Sequence, residues 1–156
     1  MRAKNIAFWL FFLVAGVWAQ RFLPGVDMLA PGILVSLQEK RFAQTLWLTL
    51  IAIFIQEGVG ALNFGVAILW YVSVFIVYFI GRWLFEAENI LFILLLGLCL
   101  GGVHFGLLSS MQILQGLSAG RASLPVESLL QVIVFPSAWW IVKYFRKPWV
   151  PHEAAV

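Results

Sequence analysis

Apolar residues in this chain come in long runs, not in the alternation of a strand or the narrow stripe of a surface helix. Two runs, Phe64 to Gly81 and Ile90 to Leu108, carry no formal charge. Each approaches the roughly 20 apolar residues that a helix needs to cross bilayer hydrocarbon. The residues between them, among them Arg82, Glu86, Glu88 and Asn89, suffice only for a tight turn, so the pair should form an antiparallel hairpin. Three further runs predict spans: 6–23, 42–57 closing on the polar pair Gln56-Glu57, and 124–145. Pro136 in the last removes one helical hydrogen bond and should kink it, which membrane helices tolerate where neighbours re-satisfy the backbone. A sixth run, 26–37, is short and holds Asp27, Pro31 and Gly32. It fits a short tilted span, a re-entrant segment or an interfacial turn.

The predicted fold is therefore all-α: a single polytopic membrane helix bundle over residues 1–156, with six transmembrane helices of which the second is short. Composition agrees. Hydrophobic residues make up 63% of the chain and charged residues 11%, with a mean hydropathy of +0.98. Ten Lys and Arg plus seven Asp and Glu cannot coat a soluble globule of 156 residues. A soluble enzyme domain, a disordered tail and a disulfide scaffold are thereby excluded. Cys99, the single cysteine, lies inside an apolar run and has no partner within the chain.

Net charge is +3, but the cations are scattered between apolar runs, as loop charges that set topology are, and nucleic acid is not an expected partner. With six spans and both termini cytoplasmic, Arg2, Lys4, Lys40, Arg41, Arg82, Lys143, Arg146 and Lys147 fall inside, against Arg21 and Arg121 outside. Eight against two satisfies the positive-inside rule. Five spans would leave the basic N-terminus on the unfavoured side. Trp18, Trp47, Trp83, Trp139, Trp140 and Trp149 lie near span ends, where interfacial anchors belong. The N-terminus imitates a signal peptide, with Val17-Trp18-Ala19 as a small-residue site, but its apolar run continues up to that site without a polar spacer, so retention is expected.

Polar residues inside a membrane are costly, and each is a candidate functional group. The clearest cluster is Gln56-Glu57-Gly58, which reads either as a proton, cation or partner-helix site or as a helix end with its turn. His104 sits in Gly101-Gly102-Val103-His104-Phe105-Gly106, where glycines imply close helix approach and a bonded imidazole. Ser109 and Ser110 follow it by five and six residues, off its helical face, which argues against an intramembrane serine protease. Metal-ligand spacing and phosphate-binding glycine loops are missing, and Gln112 and Gln115 are expected to open a loop. Ala15 and Ala19 form a small-xxx-small pair suited to helix contact. Catalytic residues, cofactors, metals and a small-molecule substrate are not expected.

Several features together resemble the MreD family of rod shape-determining membrane proteins. The resemblance is carried by Leu29-Ala30-Pro31-Gly32-Ile33-Leu34-Val35-Ser36-Leu37 running into Glu39-Lys40-Arg41. It is carried also by Phe54-Ile55-Gln56-Glu57-Gly58 leading through Leu62-Asn63-Phe64-Gly65 into a long span, and by Phe135-Pro136 in the last. In that family a Gln-Asp pair closes the third span, so Glu57 is a mild departure; Gly32 after Pro31, where an acidic residue is common, is a larger one. The resemblance implies a non-enzymatic scaffold of cell elongation and peptidoglycan synthesis in the bacterial inner membrane, binding MreC and other elongation proteins. Gln56, Glu57, Gly58, His104, Ala15, Ala19 and Pro136 are then structural or partner-contact residues. The size, span count and Ala15-xxx-Ala19 pair are also similar to the substrate-binding S component of energy-coupling-factor vitamin transporters, and a small subunit of a larger membrane complex is a third reading.

Overall fold

The computed structural model describes residues 2–59, 65–86, 89–114 and 124–149. They form six α-helices: α1 (Arg2–Phe22), α2 (Ala30–Gln38), α3 (Phe42–Val59), α4 (Val66–Leu84), α5 (Ile90–Leu114) and α6 (Leu124–Arg146), followed by a 3-10 turn at Lys147–Trp149. Four of them (α1, α4, α5 and α6) are long and apolar enough to cross a bilayer, and α3 falls just short. Large side chains such as Phe11, Phe54, Trp83 and Leu98 point outward, an apolar exterior that a bilayer, not water, accommodates. The chain is a multi-pass membrane protein.

The elements follow the predicted runs, with three corrections. Helix α5 does not stop at Leu108; it continues through Ser109, Ser110 and Gln112 to Leu114. Ser110 can sit there because its hydroxyl donates to the Gly106 carbonyl one turn back, at 2.8 Å, and so needs no water. Arg82 belongs to the last turn of α4, not to the turn beyond it. Trp139 is no interfacial anchor: it is buried, and its indole N–H donates to Gln38 Oε1 at 2.9 Å. Helix α6 runs unbroken through Pro136.

The short run 26–37 resolves into a turn and α2, nine residues and so about 14 Å long, less than half the hydrocarbon thickness. Every residue from Ala30 to Leu37 is buried, so α2 faces protein all round. Its neighbours make room for it with glycine and ring packing. A Cβ on Gly16 of α1 would lie 2.5 Å from Leu29 Cδ2, and one on Gly32 would overlap the Phe12 ring. Pro31 sits in the first turn, where its missing N–H costs nothing. Lys40, with φ +57°, then turns the chain sharply into α3.

Side-chain bonds fix the directions. Asn5 near the start of α1, Glu39 after α2, Gln44 at the start of α3 and Arg146 at the end of α6 meet at one end of the bundle. Gln20, Asp27, Gln56, Trp70 and Gln131 meet at the other. Helices α1, α2 and α3 therefore alternate in direction, and α2 counts as a traverse although it is too short to span alone. Helices α5 and α6 approach closest at glycine: a Cβ on Gly97 would lie 3.1 Å from Pro136 Cγ, and one on Gly101 would overlap Val132.

Candidate functional site

Asp27, in the turn between α1 and α2, is the centre of the most highly connected polar site. Its side chain is buried, and an isolated carboxylate there would be very costly. Local backbone supplies the first compensation. Oδ1 accepts the N–H groups of Leu29 at 2.8 Å and Ala30 at 3.3 Å, so Asp27 caps the α2 N-terminus from just outside it. Three helices supply the rest. Gln20 Nε2 of α1 and Gln56 Nε2 of α3 donate to Oδ1 at 3.2 and 2.9 Å. From α4, Trp70 Nε1 donates to Oδ2 at 2.6 Å, and the Tyr71 hydroxyl reaches Oδ1 at 3.5 Å.

Gln131 of α6, fully buried, pairs with the backbone of the same residue. Its Oε1 accepts the Asp27 N–H at 2.8 Å and its Nε2 donates to the Asp27 carbonyl at 3.4 Å. His104 of α5 completes the layer. Its ring meets Trp70 edge to face at 5.3 Å, and Nδ1 lies 3.4 Å from Ser128 Oγ of α6. One aspartate thus ties the α1–α2 turn to α3, α4 and α6, and through Trp70 to α5. Gly25, at φ +82°, gives the turn its shape, and a Cβ there would lie 2.6 Å from the Glu127 carboxyl carbon.

The residues singled out from the sequence divide. Gln56 and His104 belong to this layer. Glu57 points the other way along the chain: its carboxylate accepts the Gly65 N–H through both oxygens and the Ala67 N–H, all at 3.0 Å, which caps α4. Gly58 has open space around it. Ala15 is exposed, and the close approach on α1 is made by its neighbour Gly16. Pro136 packs on Gly97, five residues beyond Gln131 along α6. Of the glycines around His104, Gly101 carries the close approach to α6, whereas Gly102 and Gly106 have nothing within 4 Å of a Cβ position. Asn63, Gln115, Arg121 and His152 lie outside the described residues.

No family model matches the chain, and neither does any curated protein or solved structure compared with it. The site is therefore read from its own chemistry. Among the described residues no three His, Cys, Asp or Glu side chains group as a metal site would require. The side-chain donors of Gln20, Gln56, Trp70 and Tyr71 point at the Asp27 carboxylate and that of Gln131 at its backbone carbonyl, an arrangement that holds helices together.

The opposite end carries a second network. Arg146, 2% exposed, donates from Nε to Glu39 Oε1 at 2.7 Å and from Nη2 to Glu39 Oε2 at 3.0 Å, a bidentate pair, and also to Asn5. Its guanidinium lies 5.0 Å from the ring centres of both Phe8 and Trp9. Asn5 in turn donates to Gln44 at 2.7 Å, and Gln44 to Ser36 at 2.9 Å. Arg146 is thus an internal tie of the bundle and not a loop charge.

Proposed function

We propose that this chain is a non-enzymatic, MreD-like scaffold of the bacterial inner membrane, which holds an MreC-like protein and other proteins of the cell-elongation machinery together. The observation that carries the reading is the outward face of α5. Gly102 and Gly106 lie one turn apart with open space at both Cβ positions, and Ser110 follows one turn on with its hydroxyl folded back. Such a notch lets a helix of another protein approach closely. The polar side chains support the same reading, because they are bonded to one another inside the bundle. The cations Lys4, Lys40, Arg41, Arg82, Lys143 and Lys147, all of which belong to the Arg146 end, support a cytoplasmic position for both termini by the positive-inside rule.

Mild-detergent purification from a rod-shaped host should recover an MreC-like partner, and depletion should round the cells. Replacing Gly102 and Gly106 together by Leu fills the notch and should abolish recovery while the bundle still forms. Intact cell shape with undiminished recovery from the double variant would sink the proposal. One observation favours the vitamin-transporter reading: Gln20, Gln56, Trp70, Tyr71, His104 and Gln131 join Asp27 in a single layer, a richer polar set than the loops alone suggest. That reading requires a vitamin retained on purification and an ATPase-driven coupling subunit in the same fraction.

A further inference from the structure

Between α5 and α6, on the Arg146 side of their glycine contact, a groove of about 350 Å³ opens on the outer surface of the bundle. Ile90, Ile93 and Leu94 form one wall, and Pro136, Trp139 and Trp140 form most of the other. The glycines explain its position. The helices touch backbone to side chain at Gly97 and Gly101, whereas in the first turns of α5 large side chains hold them apart. The lining is almost wholly apolar, and the hydroxyl of Ser137 is turned back onto the Ile133 carbonyl at 3.0 Å. A bilayer would fill such a groove with an acyl chain.

The rim facing the Arg146 end is basic and aromatic. Lys143 Nζ stands 4.9 Å from the centre of the Trp139 ring that lines the groove, and Lys147 follows one turn later. Trp140, also lining the groove, stacks on Tyr144 at 5.8 Å with ring planes 20° apart. Apolar below and cationic above, with Trp and Tyr at the boundary, is the profile of one lipid molecule with a negatively charged headgroup.

We propose that this groove binds an anionic phospholipid, with an acyl chain between Ile90, Leu94 and Trp140 and its phosphate beside Lys143. The site is separate from the notch on α5 and does not rest on the scaffold reading. The full-length protein is reconstituted in vesicles of equal phosphatidylglycerol and phosphatidylcholine, extracted in mild detergent and weighed by native mass spectrometry. Retention of one phosphatidylglycerol in preference to phosphatidylcholine is expected. Lys143→Gln should lower that preference about fivefold, the effect of one basic residue near an anionic surface. Ser137→Phe, which fills the groove, should remove the retained lipid altogether. Thermal unfolding in detergent checks that both variants are folded, and Lys143→Gln, at a partly exposed position, keeps the test valid if the larger substitution fails. Equal retention of the two lipids, or a preference unchanged by Lys143→Gln, overturns the proposal.

Discussion

The two ends of the bundle solve one problem, a charge inside a membrane protein, in different ways. At the Arg146 end the charge has a counter-charge: Glu39 takes two guanidinium hydrogen bonds, and aromatic faces cover the cation. At the Asp27 end the described residues provide only neutral donors, two amides, an indole, a phenol and two backbone N–H groups, converging from several helices on one carboxylate. An ion pair survives the loss of a neutral neighbour. A carboxylate held by dipoles alone depends on all of them at once, so the Asp27 end should be the more cooperative and the less tolerant of change.

That difference can be broken experimentally. The largest effect is expected from Asp27→Ala, which strands the Gln20, Gln56 and Trp70 donors and uncaps α2; it should cost about 3–5 kcal/mol in reversible unfolding from detergent. A loss below about 1 kcal/mol would show that the layer does not hold the bundle together. Arg146→Met should cost less, about 2 kcal/mol, because Glu39 retains partial exposure and rehydrates. A double-mutant cycle with Glu39→Gln should then show coupling between these two residues, and its absence would mean that Asn5 and the rings hold Arg146 without the pair. The smallest effect, about 1 kcal/mol, is expected from Glu57→Ala, which uncaps α4 and leaves the Asp27 layer intact. A loss as large as that of Asp27→Ala would merge the two sites into one.

Most of the fold was legible because span length and apolarity are written directly in the chain. The long helices coincide with its apolar runs, and the Gln-Glu pair at 56–57 does close α3. The sequence puts a helix end at Leu108 and the structure does not, because serine reads as a loop residue until its hydroxyl finds the carbonyl a turn back. The site was half legible. Gln56 and His104 stand out as polar groups in apolar runs, whereas Asp27 reads only as one of the residues, with Pro31 and Gly32, that leave the path of a short run open. Its importance lies in partners as far away as Gln131, which no local pattern relates to it. One local signal did exist: Asp27 precedes Leu29-Ala30-Pro31, a capping acid just before a helix-starting proline. Glu57 stands out in the sequence by its charge, and its carboxylate serves the backbone of the next helix.

Helix α2 has a consequence for how the protein is made. A segment recognised by the insertion machinery on its own merits must offer lipid a long apolar cylinder, and Ala30–Gln38 offers nine residues bounded by Asp27 and Glu39. It gains nothing from lipid and everything from the walls of Gly16, Phe12 and the buried polar layers. The longer helices are therefore expected to enter first and α2 to follow as they close around it, its place in the bundle written in protein contacts instead of hydropathy.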